Sequence, residues 1–486
     1  MKSRVPPLRI RSVNRAAIRD HASWVVYWMT AARRSTANFA LERAADWARQ
    51  LGRPLLALEA LRCDYPWASD RLHRFIIDGM LDNRRAMAAN AVTYYPYVEP
   101  AAGAGRGLLA ALAEHAAVVV TDDFPSFFLP RMVVAAGSRL GVRLEAVDSN
   151  GLLPMAAADR EHTTAFAFRR LLQRELIAHL EEFPLEDPCQ DLPPAADLPA
   201  EITERWPVAD LDELTMGSRG LASLPIDHSV TIAALHGGSA AAASRLRTFV
   251  DAGLQGYAEL RNRPDDGGGS GLSPYLHFGH LSAHDAFREL MLREGWSPES
   301  VVPPANGRRA GWWGVSPDAE AFLDQLVTWR ELGFNVCHHR EDHDRWTSLP
   351  AWARRTLEAH AADPREHSYS IAELAAAATH DPLWNAAQRQ LVGEGTIHNY
   401  LRMLWGKKIL EWTDDPRRAM EVMLELNNRF ALDGRDPNSA TGICWVLGRH
   451  DRPWAPERPI FGTVRYMSSA NTARKLPVRR YLERYA

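Results

Sequence analysis

Cysteine is scarce in this chain. Cys63, Cys189, Cys337 and Cys444 stand far apart, with no Cys-x-x-Cys pair among them. That scatter argues against a disulfide framework or a zinc ribbon and fits a reducing, cytoplasmic setting. No apolar run is long enough to span a membrane. Charge of one sign is also missing in bulk, since the formal net charge is only −3. No Gly-x-Gly-x-x-Gly follows the first apolar run, which removes the usual dinucleotide fingerprint. The His-Asp pairs in HDPLW (380–384) and RHDRP (449–453) have no Gly-x-Ser-x-Gly elbow to serve, which argues against a hydrolase triad. Internal repeats and coiled-coil heptads are absent.

What remains is ample for two domains: 486 residues, 46% of them apolar. Tryptophan is abundant, with eleven of sixteen after residue 243. Charge is uneven. From Arg402 onward there are 16 Lys and Arg against 10 acids, a surplus of six that leaves −9 on the rest. Such asymmetry permits a nucleic-acid surface on the C-terminal part, beside the plainer reading of a solvated charged face. The first 20 residues hold six basic residues and one acid, Asp20, but no apolar signal core. They read as a lead-in to the mature protein.

The N-terminal third alternates strand and helix. Apolar runs at Trp24–Met29, Arg53–Leu61, Thr93–Val98, Ala117–Thr121 and Val142–Val147 read as strands. Helical patterns separate them at 36–51, from Ser69 to about Asn90, at 107–115 and at 127–140. Continuous apolar strands between helices predict a parallel sheet buried on both faces. The expected architecture is an α/β, Rossmann-like domain with a five-stranded parallel sheet over 21–150. An interdomain connection (151–235) then leads to an all-α domain over 236–486. The Pro- and Asp-rich stretch 186–201 in that connection is expected to wrap over the surface. AAGAGRG (101–107) reads as a loop rather than a phosphate cradle, because it precedes a helix after the third strand.

The helical domain is organised around 381–412, DPLWNAAQRQLVGEGTIHNYLRMLWGKKILEW. Asp381 is placed as an N-cap with Pro382 at the first helical position. Gly393 and Gly395 end this helix, and a second runs from about Thr396 to Trp412. Trp405 and Trp412, two turns apart, share an apolar face and lie about 10 Å apart along the axis. Spacing alone makes Trp384, Trp405 and Trp412 core residues. Upstream, DDGGGSGLS (265–273) runs into a helix. It offers unhindered N–H groups and two hydroxyls, a combination suited to a phosphate pair and equally to a solvent-exposed turn.

DPLWNAAQ, HNYLRMLWGKKILEW, LDGRDPNSATGICW and ERPIFGTVRYMS, in this order and spacing, resemble the class II cyclobutane pyrimidine dimer (CPD) photolyases of the photolyase/cryptochrome family. The similarity is traceable from Trp24 to the C-terminus. It implies light-driven DNA repair, in which FAD, active as FADH⁻, lends an electron to a flipped-out dimer whose cyclobutane ring then splits. It implies that Tyr257, Ser270, Gly271, Leu272 and Ser273 serve the flavin phosphates. Arg402 and Asp433 would pair beside the flavin ring, and Asn427 would face its N5. Trp405, Trp384 and Trp412, in that order outward, become the chain that reduces oxidised flavin. Glu331 is implied as the glutamate that bonds the dimer bases, catalytic together with Asn427. Asn335 follows four residues later on the same helical face. Tyr400, Met403, Trp445 and Trp454 complete the lesion pocket, with Arg452 and Arg465 on the DNA. Arg474, Lys475, Arg479 and Arg480 are further phosphate candidates, and Arg449 lies with Arg452 between the two pocket tryptophans.

The resemblance makes the α/β domain an antenna domain and allows a second chromophore such as a deazaflavin. The loop TAARRSTANFALERA (30–44) departs from the acidic, glutamine-bearing class II pattern there. Damaged DNA is the expected partner of a monomer with no obligate protein partner. Cys337, His338, His339 and His343 imitate a metal-ligand group. No second ligand pair accompanies them, and His338 and His339 are adjacent rather than one turn apart, so they read as a polar loop. The competing function is a cryptochrome-like flavin photoreceptor signalling through protein partners. The joint presence of Glu331, Met403 and Trp445 favours repair.

Overall fold

The structure is a computed structural model that describes residues 3–217 and 219–486. The chain forms two compact units. One comprises the chain up to Asp159, Glu175–Arg247 and Leu272–Glu289, and the other comprises Arg160–Arg174, Thr248–Gly271 and Leu290–Ala486. The units interleave along the chain, so contiguous boundaries at 150 and 235 do not describe them.

The first unit carries a six-stranded sheet: β1 (Ile10–Ser12), β2 (Trp24–Met29), β3 (Leu55–Leu61), β4 (Val92–Val98), β5 (Ala116–Asp122) and β6 (Leu144–Val147). Their order is β1-β6-β5-β2-β3-β4. The five strands β2 to β6 are parallel, with Val25 opposite Leu55 and Val119 opposite Leu144. All six residues of β2 are buried, as a central parallel strand covered on both faces requires. The sixth strand corrects the expected count. It comes from the lead-in and pairs antiparallel with β6, Ile10 opposite Val147. Its three residues include none that is fully buried, so no apolar run announces it.

Four helices follow the strands: α1 (Phe39–Leu51), α2 (Asp70–Ala88), α3 (Leu108–Glu114) and α4 (Leu129–Gly137). Asn38 caps α1 by accepting from the amides of Ala40 and Leu41, and Gly52 closes it in the left-handed region. Ser69 occupies the N-cap position of α2 but its hydroxyl makes no capping bond. The Pro-rich stretch does more than wrap the surface. Cys189 within it, and Ile202 and Trp206 just beyond it, are buried in the two cores flanking the sheet. Thr93 on β4 exchanges two hydrogen bonds with the Ala196 backbone.

The second unit is helical. Its central elements are Arg330–His339, Pro382–Glu394, Asn399–Trp412, Pro416–Phe430 and Pro437–Val446. Asp381 accepts from the amides of Leu383 and Trp384, with Pro382 beside it, so the local chemistry of this stretch sets where its first helix begins. Gly395, at φ 72°, ends that helix, whereas Gly393 stays inside it. The next helix starts at Asn399, three residues later than its apolar pattern suggests, with His398 at the N-cap. Gly333 lets the Arg330–His339 helix approach the start of Pro437–Val446. A Cβ there would lie 2.8 Å from the Asn438 Cα.

Candidate active site

Three tryptophans form a continuous path inside the second unit. Trp384 and Trp405 are parallel, with ring centroids 6.4 Å apart. Trp412 meets Trp384 edge-on at 5.3 Å. Trp384 therefore lies between two rings that sit two turns apart on one helix. Both inner indoles are fixed: Trp384 Nε1 donates to the Trp405 carbonyl, and Trp405 Nε1 donates to Gln388 Oε1 at 2.8 Å. Gln388 escapes a reading of motifs, although it lies one turn from Trp384 on the same helix. Beyond Trp412 the rings continue through Tyr369 at 5.1 Å and His380 at 5.6 Å.

A polar group lies on the same organising helix. Arg402 and Asp433 pair at 2.8 Å, both side chains mostly shielded from solvent. The Asn427 amide nitrogen donates to the Gly434 carbonyl and to the Ser439 hydroxyl, each at 3.0 Å. Arg402 reaches the same hydroxyl at 3.3 Å. Ser439 thus joins Arg402 and Asn427, two residues from separate helices, and nothing in its own neighbourhood flags it. With the Asn427 nitrogen facing three acceptors, the Gly434 carbonyl, the Ser439 hydroxyl and Asn428 Oδ1 at 3.2 Å, the amide orientation is set. Its Oδ1 receives no hydrogen bond from the described protein and can accept from a ligand N–H. The His398 imidazole adds a second open group: neither ring nitrogen has a hydrogen-bond partner among the described residues, and burial pulls its pKa down to about 4. Open polar groups around an internal ion pair fit a large heterocyclic ligand such as a flavin.

The glycine-rich loop over 265–273 is less built. Tyr257 is buried edge-on against Phe249 and Phe322, and burial raises its hydroxyl pKa. The Asp318 carboxylate holds the amides of Gly256 and Ala258 at 2.8 and 2.9 Å on either side of it. Ser270 is half-buried, and Gly271 takes φ 70°. Leu272 and Ser273 open the segment assigned to the first unit, Leu272 buried and Ser273 exposed.

Aromatic and cationic side chains form one layered wall. The Arg465 guanidinium lies 5.5 Å from the Trp445 ring and 4.3 Å from the Trp454 ring. Arg452 stacks on Trp454 at 5.1 Å, and Asp451 accepts from Trp454 Nε1 at 3.1 Å. These stacked pairs are cation–π contacts. Tyr400 and Met403 are half-buried on the Asn399–Trp412 helix. Glu331 is buried on the Arg330–His339 helix, held close to Pro437–Val446 by Gly333.

Other expected residues have structural tasks. The Asn335 amide is engaged at both ends, accepting from the His162 amide at 2.8 Å and donating to the Arg160 carbonyl at 3.0 Å. It anchors the 160–162 segment, which sequence spacing from Glu331 does not reveal. Arg449 is buried and donates to the His343 carbonyl and the Ser348 hydroxyl, so it is no phosphate contact. Arg480 pairs with Asp266, and Arg479 approaches Glu483 at 3.8 Å. Arg474 and Lys475 are exposed in the last turn of the Ser469–Lys475 helix. Among the described residues no three metal-ligating side chains come together. Cys337 is buried, its thiol pKa pushed well up by desolvation, and His343 Nδ1 bonds the Arg340 carbonyl.

In the sheet unit, strand order reverses between β2 and β5, where ligands of open α/β sheets usually bind. Here Asp122 at the end of β5 accepts from the amides of Thr30, Ala31 and Ala32 and from the Tyr27 hydroxyl. The chain's own carboxylate holds the backbone donors that a nucleotide phosphate would otherwise use.

No protein-family profile matches the chain. Full-length relatives do. The chain is 36% identical over 480 residues to a deoxyribodipyrimidine photo-lyase of Methanothermobacter thermautotrophicus, covering 98% of this chain and 97% of that protein. It is 34% identical to the rice enzyme of the same name, covering 94% and 86%, and 32% identical to that of Potorous tridactylus, covering 97% and 83%. Among solved structures, a class III photolyase from Agrobacterium tumefaciens superposes with a TM-score of 0.70 at 17% identity, over 96% of this chain and 86% of that one. A Synechocystis cryptochrome gives 0.67 at 16% identity, over 95% and 88%. At those identities the structural likeness speaks for the fold alone.

Proposed function

The chain belongs to the deoxyribodipyrimidine photo-lyase family of DNA-repair enzymes, and on that premise we propose that it is a class II enzyme repairing cyclobutane pyrimidine dimers in UV-damaged DNA with FAD. The observation that carries this reading is the meeting of Arg402 and Asn427 at the Ser439 hydroxyl, with Asp433 paired to Arg402, on the helix that also carries Trp405 of the tryptophan path. When bound and reduced, FAD supplies a light-driven electron to the dimer and recovers it after the ring has split.

The chain's own residues hold and insulate. Arg402, Asp433 and Asn427 would hold the flavin ring system, and Tyr257, Ser270 and Gly271 its phosphates. An amide at Asn427 can accept a proton-bearing nitrogen through Oδ1, which a hydrocarbon cannot. Trp384, Trp405 and Trp412 offer stacked and edge-on π-systems as a route for electrons entering from outside. Trp445, Trp454, Tyr400 and Met403 would pack against the two joined bases of a dimer flipped out of the duplex, and damage lowers the cost of that flip. The Glu331 carboxylate would accept from the dimer N–H groups. Arg452 and Arg465 would meet phosphate, giving affinity without sequence choice.

The test is light-dependent recovery of thymine absorbance in UV-irradiated oligothymidine by the reduced protein. Recovery in light and none in darkness is expected. A protein that binds and photoreduces FAD yet repairs nothing is a photoreceptor, and CPD repair is then ruled out.

A further inference from the structure

Only four of the 57 basic residues in this chain are lysines. One of them, Lys407, has no exposed surface at all. Its ammonium donates to the Val446 carbonyl and forms no ion pair with any described carboxylate. Its neighbour Lys408 behaves ordinarily, pairing with Glu411 at 2.6 Å. A buried ammonium without a counter-ion is costly, and an apolar side chain of similar size would fill the space without that cost.

The location suggests what the charge does. Lys407 lies one turn beyond Met403 on the same helical face. Its nitrogen is 5.9 Å from the Trp445 ring, the ring that also carries Arg465. Gly406 allows this approach, since a Cβ there would lie 2.7 Å from Val446 Cγ2. The charged groups that face the ammonium from other elements are Asp451, which favours its proton, and Arg465, which opposes it. Burial outweighs both and draws the pKa down to about 7. Arginine, which the chain uses almost everywhere else, does not give up its proton.

We propose that Lys407 is an electrostatic positioning residue for lesion splitting, its ammonium set behind Trp445 to stabilise the negative charge the dimer carries after it accepts an electron. The inference rests on the CPD-repair reading above. No bond forms to Lys407 and no proton leaves it. The dimer gains one electron from the reduced flavin, loses the two carbon–carbon bonds that join its rings, and returns the electron. A fixed cation stabilises the charged dimer and leaves the neutral one nearly unaffected, so splitting gains over unproductive electron return.

The experiment measures repair quantum yield on UV-irradiated oligothymidine between pH 6 and 9, using the reduced flavin-loaded full chain and its Lys407→Met and Lys407→Arg variants. Dark affinity for the same oligonucleotide is measured in parallel. The expected wild-type yield falls as pH rises through neutrality. Lys407→Met should lose yield several-fold at pH 6, show no inflection, and keep its dark affinity. Lys407→Arg should hold its yield to pH 9. A flat wild-type profile overturns the proposal. So does a Lys407→Met protein with the wild-type profile, or one whose yield falls only in step with dark affinity, because that marks a merely structural role. Absence of repair by the wild type at every pH instead removes the CPD-repair reading, and this inference with it.

Discussion

The Arg402–Asp433 pair shows what a single residue contributes here. Breaking a largely buried pair leaves an uncompensated charge, which costs about 3–5 kcal/mol. Asp433→Ala should lower unfolding free energy toward that range in denaturant titration and release flavin, read by visible absorbance. Full flavin content with unchanged stability would mean the pair does nothing for either. Lys407 gives the opposite sign. Its folded pKa, about 7, lies below its value in the unfolded chain, so folding below neutrality forces a proton onto a buried group. The penalty is complete below pH 7 and is relieved as pH rises toward the unfolded pKa. Lys407→Met should therefore melt higher than wild type at pH 6, with the gap closing toward pH 9. A constant gap would mean the lysine does not titrate in that window. The Arg402–Asp433 pair is readable from a family pattern, but Lys407 is not, because a lysine in GKK gives no hint of which of two adjacent ammoniums turns inward.

At the scale of elements, local rules and tertiary rules divide cleanly. Asp381 and Pro382 predict their helix start because capping is local chemistry. Asp381→Ala should cost about 1 kcal/mol, measured by thermal unfolding. Its contact to the Ser469 hydroxyl means the loss will not be smaller than for a pure cap. Gly79, in the middle of α2, is unintelligible from propensity. The reason is distant in sequence: a Cβ would lie 2.3 Å from the His280 imidazole. Strand β1 escapes for the same kind of reason, being a short exposed edge with no periodicity. The tryptophan path also joins two elements. Trp405→Phe keeps an apolar ring but removes the indole bonded to Gln388. Photoreduction of oxidised flavin should stop while chemically reduced protein still repairs. Unimpaired photoreduction would remove Trp405 from the path.

For the whole molecule the question is how a chain of net charge −3 holds DNA. The surplus of six basic residues from Arg402 onward makes binding a local matter, and the structure narrows it further. Arg449 and Arg480 are already engaged within the protein, which the sequence cannot disclose because an arginine's partner depends on tertiary contact. Arg452 is exposed and stacked on Trp454. Arg465 lies over both Trp445 and Trp454 and near Asp451. These settings predict different losses. Affinity for DNA should fall with salt, and a phosphate contact contributes about one unit to the logarithmic slope. Arg452→Ala should reduce that slope by about one and weaken damaged and undamaged DNA alike. Arg465→Ala should change the slope less but dismantle the aromatic wall, reducing the preference for dimer-containing DNA. Fluorescence titrations with irradiated and unirradiated oligothymidine across a salt series separate the two. If Arg465→Ala weakened both DNAs equally at a reduced slope, Arg465 would be a phosphate clamp, and Trp445 and Trp454 would keep their places without it.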